Sequence, residues 1–409
     1  MGNNNYLERC TSIAIFGGTF DPFHNGHLAI AEAVLYQFKP ERVMIVPTGN
    51  PPHKPDGAIA SGEDRYQMIS RSVGDTPELD VTRLEIDRPG VSYTIDTIYA
   101  TRNACAPGCK IYFILGQDAL LAVESWKNAA ELLKSCEFIT IPRPGYEPTK
   151  LHTRIQELEE KYSAVIHILS TPLLHISSTD IRQFLAEERP VGALMPKPAI
   201  DYARVHGLYG MVKPDLSDKH YEWAKKQLEA RLTPKRFKHT MGVVIEAEKL
   251  ALHYGACPNK ARWAALLHDC VKECGADKKR FLCKAWNVEI DSLIESHIDL
   301  AHGLLGAESA RRHFYVTDEE ILQGIRFHIA GHKDIALLDK IINLADFIEP
   351  YREDYPPLKK MRQLAYISIN EALHYGLSES RAIDCARGKE LHHWSADTIE
   401  VLEREINGE

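Results

Sequence analysis

The sequence has no long apolar segment, no low-complexity tract and no internal repeat. Without a run of roughly 18 apolar residues, no transmembrane helix is predicted. An excess of positive charge is missing as well, because the formal net charge is -8 over 409 residues. That balance argues against broad binding to nucleic acid or to a membrane surface, but it leaves small phosphorylated ligands open.

Clustered cysteines at zinc-finger spacing are also missing. Cys105 with Cys109 and Cys270 with Cys274 are each four positions apart, but no second pair follows either one. Structural zinc on cysteine is therefore disfavoured. The first ten residues, MGNNNYLERC, lack the apolar segment of a secretory signal. With nine scattered cysteines, this predicts a reducing, cytoplasmic location.

The composition is that of a globular chain, with 44% hydrophobic and 26% charged residues. Its length favours two domains rather than one. Short apolar runs such as SIAIF, RVMIVP and KIYFIL alternate with helical patterns in the first half, whereas only helical patterns follow residue 210. We predict an α/β domain with a parallel sheet over residues 1–210, a linker over 211–219 and an all-α domain over 220–409.

The segment FGGTFDPFHNGH follows the first predicted strand. Gly17 and Gly18 allow a sharp turn and a close approach of a ligand to the main chain. His24 and His27 lie on the turn into a helix, whose N-terminus favours phosphate. Both can donate hydrogen bonds to phosphate oxygens during a phosphoryl transfer. The same two histidines could instead bind a metal or cap the turn.

A second segment, ISSTDIR, follows the predicted strand AVIHIL. Ser177, Ser178 and Thr179 are typical N-cap residues for the next helix. Arg182 follows one turn later. Three hydroxyl residues and an arginine are more polar groups than an N-cap requires. Hydroxyls with a guanidinium predict a second phosphate site. Two phosphate sites at the ends of strands in one sheet indicate a nucleoside triphosphate.

The two segments together resemble the bacterial nicotinate-nucleotide adenylyltransferases of the H-x-G-H nucleotidyltransferase superfamily, over about the first 210 residues. Pantetheine-phosphate adenylyltransferases and cytidylyltransferases share H-x-G-H but lack the serine-serine-threonine form. The resemblance implies that ATP, with Mg²⁺, reacts with nicotinate mononucleotide to give deamido-NAD and pyrophosphate. No protein nucleophile takes part, and His24, His27 and Arg182 are the implied catalytic residues.

The same resemblance implies the substrate-binding residues. Lys54, near the reacting groups, could instead be a solvated loop charge, and Trp126, whose indole offers a face to the pyridine ring, could be a core residue. Besides Gly17 and Gly18 of the turn, the implied residues are Thr19, Ser177, Ser178 and Thr179 with His24, His27 and Arg182 for ATP, and Tyr93, Thr94, Gly116, Asp118, Trp126 and Arg143 for the mononucleotide.

In the second half, His and Asp residues interrupt apolar helical patterns. Each buried polar group without a partner costs about 1–3 kcal/mol, so we expect these groups to meet one another. Imidazole and carboxylate together suit a hydrolytic divalent metal. We predict one helix over Asn259–Val271, which contains the adjacent residues His268 and Asp269. Neighbouring side chains on a helix diverge by about 100°, so these two can bind the same ion only if it lies between them. The candidate ligands are His239, His268, Asp269 and Asp346, with His302 and His328 available to a second metal or to substrate phosphate.

This half resembles the HD phosphohydrolase superfamily, and most closely the bacterial subgroup that cleaves diadenosine tetraphosphate into two ADP. Its most specific piece is LADFIEPYR, ending at Arg352. The resemblance implies an iron centre, although manganese or another divalent ion fits the ligands. It also implies a catalytic role for Asp269 and a dinucleoside polyphosphate as substrate.

Two points of this resemblance stay open. HIAG stands at residues 328–331 where the family pattern has His-Thr-Thr-Gly, which puts substrate contacts in doubt. Asp277 and Lys278 could assist the chemistry or be solvated. The alternatives for this half are another nucleotide phosphoester as substrate, or a regulatory domain that binds nucleotide without cleaving it. The sequence is compatible with a homo-oligomer.

Overall fold

The computed structural model describes residues 7–49, 60–74, 76–142, 148–170, 176–329, 331–388 and 392–408. The chain divides into two compact units, Met1–Lys213 and Pro214–Glu409. The division falls inside the segment that the sequence indicates as a linker. Below, these are called the first unit and the second unit.

The first unit contains a parallel sheet, which confirms the predicted α/β class. Its strands are β1 Ser12–Gly18, β2 Arg42–Pro47, β3 Leu79–Val81, β4 Lys110–Gly116, β5 Glu137–Ile141 and β6 Ile166–Ile168. Their order across the sheet is β3-β2-β1-β4-β5-β6. The four inner strands are buried on both faces, which explains why they read as continuous apolar runs. Successive side chains of β1 point to opposite faces, so Ile13 and Ile15 enter one core while Ala14 and Phe16 enter another.

Helices connect these strands. The helices of the first unit are α1 Asn25–Phe38, α2 Gly62–Val73, α3 Thr94–Ala104, α4 Gln117–Leu121, α5 Ala129–Ser135, α6 Pro148–Tyr162, α7 Ser178–Ala186 and α8 Lys197–His206. The strand order reverses between β1 and β4, since β1 pairs with β2 on one side and β4 on the other. Ligands of open α/β sheets bind beyond the carboxyl ends of the strands at such a reversal. Gly18 and Gly116 end those two strands.

The described part of the second unit contains only helices, as predicted. They are α9 Asp218–Glu229, α10 Pro234–Tyr254, α11 Pro258–Leu267, α12 Ala276–Trp286, α13 Ser292–Ser296, α14 His302–His313, α15 Glu319–Phe327, α16 Leu337–Ile348, α17 Pro356–Leu364, α18 Ile369–Ala386 and α19 His393–Asn407. The central helix α11 packs against α10, α15 and α16. Its Trp263 side chain is fully buried. Within the described ranges, none of the helices is both long and apolar enough to cross a membrane.

One predicted helix boundary is wrong. The helix expected over Asn259–Val271 ends at Leu267, and a turn follows. His268 stands at the C-cap, where the last carbonyls of the helix have no main-chain partner within it. The His268 side chain uses one of these carbonyls, so the helix ends where the polar residues of the motif begin.

Candidate active sites in the two units

The turn after β1 carries two histidines that cap α1. Nδ1 of His24 accepts the main-chain N–H of His27 at 3.3 Å, and Nδ1 of His27 accepts that of His24 at 3.3 Å. The rings stack with their centroids 3.5 Å apart. Because both Nδ1 atoms accept, the proton of each neutral imidazole must lie on Nε2. The pair therefore caps the helix and still offers two Nε2–H donors.

The second segment contacts the same turn. Ser177 caps α7 by accepting the N–H groups of Thr179 and Asp180. Ser178 donates its hydroxyl to the carbonyl of Pro22 at 3.2 Å. Arg182 donates to the carbonyl of Asp21 at 2.7 Å. Arg182 also donates to the Thr179 hydroxyl at 3.2 Å.

A cavity of about 360 Å³ is lined by the start of the first segment, Gly17 to Thr19, whereas His24, His27 and the residues of the second segment are not among the described residues that line it. The Trp126 indole both lines the cavity and meets the Phe113 ring edge-on, so its core and ligand roles are compatible. Asp118, in contrast, is exposed in the first turn of α4 and is not among the described residues that line the cavity. Lys54 and Arg143 lie outside the described residues. The predicted residues that line the cavity are Gly17, Gly18, Thr19, Tyr93, Thr94, Gly116 and Trp126.

Three buried polar residues that the sequence did not single out hold the turn in place. Asp21 accepts the hydroxyl of Tyr209 at 2.7 Å. The Arg65 guanidinium donates to the carbonyls of Thr19 and Thr48, both at 2.7 Å. Asp21 lies within the first motif, so its role could have been predicted from the sequence. Arg65 lies on an amphipathic helix, where arginine normally indicates a solvated face.

In the second unit the six predicted metal ligands gather in one cluster. His239 lies on α10, His268 and Asp269 follow α11, His302 begins α14, His328 follows α15 and Asp346 lies on α16. Nε2 of His302 is 3.3 Å from Asp269 Oδ1 and 3.2 Å from Nε2 of His328. Nε2 of His239 is 3.1 Å from Asp346 Oδ1. Five helices and the turns that follow them thus bring together residues that are more than 100 positions apart.

In three of the histidines, the same kind of hydrogen bond fixes the orientation of the ring. Nδ1 of His268 donates to the carbonyl of Ala265 at 2.7 Å, and the carbonyls three residues before His302 and His328 accept in the same way at 2.5 and 2.8 Å. His268 and His328 stand at helix C-termini, where the last carbonyls have no main-chain partner within the helix, and His302 begins α14 directly after a short 3-10 helix. The proton on Nδ1 leaves Nε2 as a lone-pair donor, and in each case Nε2 lies in the cluster.

The cluster fits a divalent metal ion. Nε2 of His239, Nε2 of His268 and Oδ1 of Asp269 are buried and make no hydrogen bond with any described residue. Such atoms need a partner, and a metal would supply one. The six residues form three overlapping triplets. Within each triplet, the ligand atoms lie within 4.8 Å of one another. Nitrogen and carboxylate oxygen donors suit iron, manganese or zinc.

The charges in the cluster match this role. Burial opposes ionisation of Asp269, but the neighbouring His268 imidazole, helped by the side chains of His302 and His328, holds the carboxyl pKa well below its usual range. Burial lowers the pKa of His302 to about 4. Near neutral pH, Asp269 is therefore a carboxylate and His302 a neutral imidazole, which are the forms that bind a metal.

Cationic side chains adjoin the cluster, and sequence reasoning missed two of them. Arg236 donates to Asp269 Oδ2 at 2.7 Å, and Lys272 lies 2.9 Å from Nε2 of His302. Arg352, the end of the predicted motif, donates to Asp346 Oδ1 at 3.1 Å. Asp277 is fully exposed on α12, which favours its solvated interpretation. In HIAG, Ala330 lies outside the described residues.

Comparison with known proteins agrees with this architecture. Residues 15–184 match the cytidylyltransferase-like family model, and residues 236–351 match the HD domain model. The chain thus joins a nucleotidyltransferase-type α/β domain to an HD domain.

Two relatives are similar to the first unit. A probable nicotinate-nucleotide adenylyltransferase of Moorella thermoacetica is 41% identical over 205 residues, which are 50% of this chain and 94% of the relative. Another, from Thermoanaerobacter sp., is 41% identical over 203 residues, which are 50% of this chain and 96% of the relative. Through its N-terminal half, the chain belongs to the nicotinate-nucleotide adenylyltransferase family.

Solved structures are also similar to part of this chain. The crystal structure of a predicted HD superfamily hydrolase involved in NAD metabolism, from Clostridium acetobutylicum, is 32% identical to this chain. The match covers 45% of this chain and 97% of that one, with a TM-score of 0.44.

Proposed function

We propose that the first unit transfers the adenylyl group of ATP to nicotinate mononucleotide. A phosphate oxygen of the mononucleotide attacks the α-phosphorus of ATP, the bond to the β-phosphate oxygen breaks, and deamido-NAD and pyrophosphate leave. The main support is the placement of the histidine turn, the α7 N-terminus and the cavity at the carboxyl ends of β1 and β4. Bound Mg²⁺ would neutralise phosphate charge.

In this proposal the protein acts by alignment and charge. The Nε2–H groups of His24 and His27 donate to phosphate oxygens whose charge grows in the transition state. The Arg182 guanidinium adds positive charge at the N-terminus of α7, where it is already oriented by the Asp21 carbonyl. No group of the protein needs to gain or lose a proton, because the attacking phosphate is already an anion.

The pH dependence tests this neutral-donor role. Burial lowers the pKa of His24 to about 4 and, with the neighbouring His24 ring, holds the pKa of His27 well below its usual range. Since a lowered pKa means that protons bind only in acid, both rings stay neutral from about pH 5 to 8. We expect the kcat/KM profile of adenylyl transfer to show no histidine ionisation in that range.

This pH profile needs a control, because the phosphate of the substrate also ionises in this range. A step that the wild type shares with both a His24→Asn and a His27→Asn variant belongs to the mononucleotide phosphate, whose second pKa is about 6. A step near pH 6.5 that occurs in the wild type alone would mean that a histidine titrates there, and the neutral-donor role would be lost.

For the second unit we propose metal-dependent hydrolysis of a phosphoric anhydride, with diadenosine tetraphosphate cleaved to two ADP. The observation that supports it is the gathering of four imidazoles and two carboxylates, some of whose buried ligand atoms make no hydrogen bond with a described residue. A divalent ion bound there would activate water for attack on phosphorus. Arg236 and Lys272 would offset the charge of the polyphosphate. Iron as the metal, a cytoplasmic location and a homo-oligomer stay predictions.

The product pattern tests this second activity. We expect the purified chain, reconstituted anaerobically with ferrous iron, to convert diadenosine tetraphosphate into ADP alone, measured by ion-exchange chromatography. Equal amounts of AMP and ATP would show asymmetric cleavage and contradict the proposed specificity. Intact substrate in a sample with bound iron would contradict the hydrolysis of this compound, and would favour another phosphoester or a regulatory role.

A further inference from the structure

His239 differs from the other three histidines of the cluster in how its ring can be held. It is the sixth residue of α10, whereas the others stand at helix termini. Inside a helix the carbonyls of the preceding turn already accept main-chain N–H groups. His239 does not follow the pattern of His268, whose Nδ1 donates to the carbonyl three residues earlier. The acceptor for Nδ1 of His239 is a side chain from another part of the chain.

Glu349 supplies that acceptor. Its Oε1 lies 3.2 Å from Nδ1 of His239, while its Oε2 accepts the main-chain N–H of Tyr351 at 2.6 Å. The Glu349 side chain is only 3% exposed. With both oxygens engaged, the carboxylate has a fixed orientation. The opposite nitrogen of the ring, Nε2, is the buried atom that makes no hydrogen bond with a described residue and lies near Asp346.

Gly242 makes room for this carboxylate. It lies one turn after His239 on α10, and a Cβ there would be 2.3 Å from Oε2 of Glu349 and 2.9 Å from Cδ2 of Tyr351. Contacts that short require the carboxylate or the helix to move. Glycine in a helix interior costs about 1 kcal/mol relative to alanine, so the small residue needs a local reason. The approach of Glu349 to α10 gives one.

We infer that Glu349 is the positioning residue of the metal centre, and that Gly242 allows it to reach His239. This inference rests on the proposed metal-dependent function. The carboxylate keeps the proton of His239 on Nδ1, turns Nε2 towards the ion and increases the donor strength of the ring. Only this histidine is supported by a negative charge, because the other three donate to neutral carbonyls.

The test measures metal binding directly, without activity. The full-length chain and its variants are titrated with Co²⁺ after chelation, by calorimetry and by the visible absorption of bound cobalt. Losing such an outer partner typically lowers metal affinity 10- to 100-fold, so we expect a loss in that range for Glu349→Leu. Glu349→Gln keeps an acceptor but no charge, and should lie between it and the wild type. Gly242→Ala should weaken binding and change the cobalt spectrum in the same direction.

Glu246→Gln is the matched control, since Glu246 is also buried, lies on α10 and accepts the Tyr366 hydroxyl at 2.7 Å. It should bind Co²⁺ as the wild type does. If Glu349→Leu does not fold by circular dichroism, the nearly isosteric Glu349→Gln decides. Wild-type affinity and spectrum in the Glu349 variants would overturn the inference while leaving the hydrolase proposal intact. A wild type that binds Co²⁺ but cleaves no phosphoester would overturn only the proposed function, and one that binds no metal would overturn both.

Discussion

His268→Ala is expected to lower the metal affinity of the second unit by more than about 100-fold, the upper end for the loss of an outer partner, and to remove the hydrolysis proposed for this unit. The imidazole is fully buried, and its Nε2 makes no hydrogen bond with a described residue. Alanine removes one nitrogen ligand, and we expect a water molecule to replace it only in part. Metal content after dialysis, measured by mass spectrometry, and ADP release would show the loss.

The chain offers two controls for this variant. His253→Ala removes an exposed histidine of α10 and should change neither metal content nor hydrolysis. Adenylyl transfer by the His268→Ala protein should match the wild type, because the first unit has its own cores. A His268→Ala protein that keeps its full metal content would show that the cluster is not the binding site.

His27→Ala is expected to lower kcat for adenylyl transfer about 10²- to 10³-fold, the usual effect of removing one preorganised donor to a transition state. The change also removes the Nδ1 acceptor that caps the N–H of His24, so the turn itself loosens. KM for ATP should rise less than kcat falls, because the phosphate charge that the donor stabilises grows in the transition state. Steady-state kinetics with pyrophosphate detection would measure both constants.

His152→Ala, an exposed change on α6, serves as the control in the same unit. His27→Asn provides a graded comparison, since its amide still donates but from a shorter side chain. If kcat for His27→Ala stayed within about twofold of the wild type, the histidine pair would only cap the helix, as one of the alternatives from the sequence allowed.

The sequence predicts the fold of the first unit well because both faces of its inner strands are buried. Runs such as RVMIVP are apolar throughout, and the strand Arg42–Pro47 matches that run. The strand near LDVTRLE shrinks to Leu79–Val81, because it lies at the sheet edge and pairs on one side only. The alternation of strands and helices also predicted that motifs more than 150 positions apart would meet, since parallel strands share one carboxyl edge.

The residues that support the sites were harder to predict. Arg236, Lys272 and Glu349 are charged residues at or beside helix ends, where such residues are common and most often face solvent. Only the crossing of α10 with the turn after α16 shows that Glu349 faces His239. His268 illustrates a second limit, because helical periodicity cannot show that a side chain takes over a carbonyl and ends the helix at Leu267.

Every hydrophobic core among the described residues draws its members from one side of Lys213. Three cores use residues up to Met211, and the fourth, around Trp263, begins beyond that boundary. Since burial in these cores drives folding, we expect two cooperative transitions, for which a two-state analysis of the melting curve would not give a well-defined free energy of unfolding. A mutation that weakens one core is therefore expected to lower the thermal stability of that unit alone, so the two units are free to accumulate substitutions at different rates.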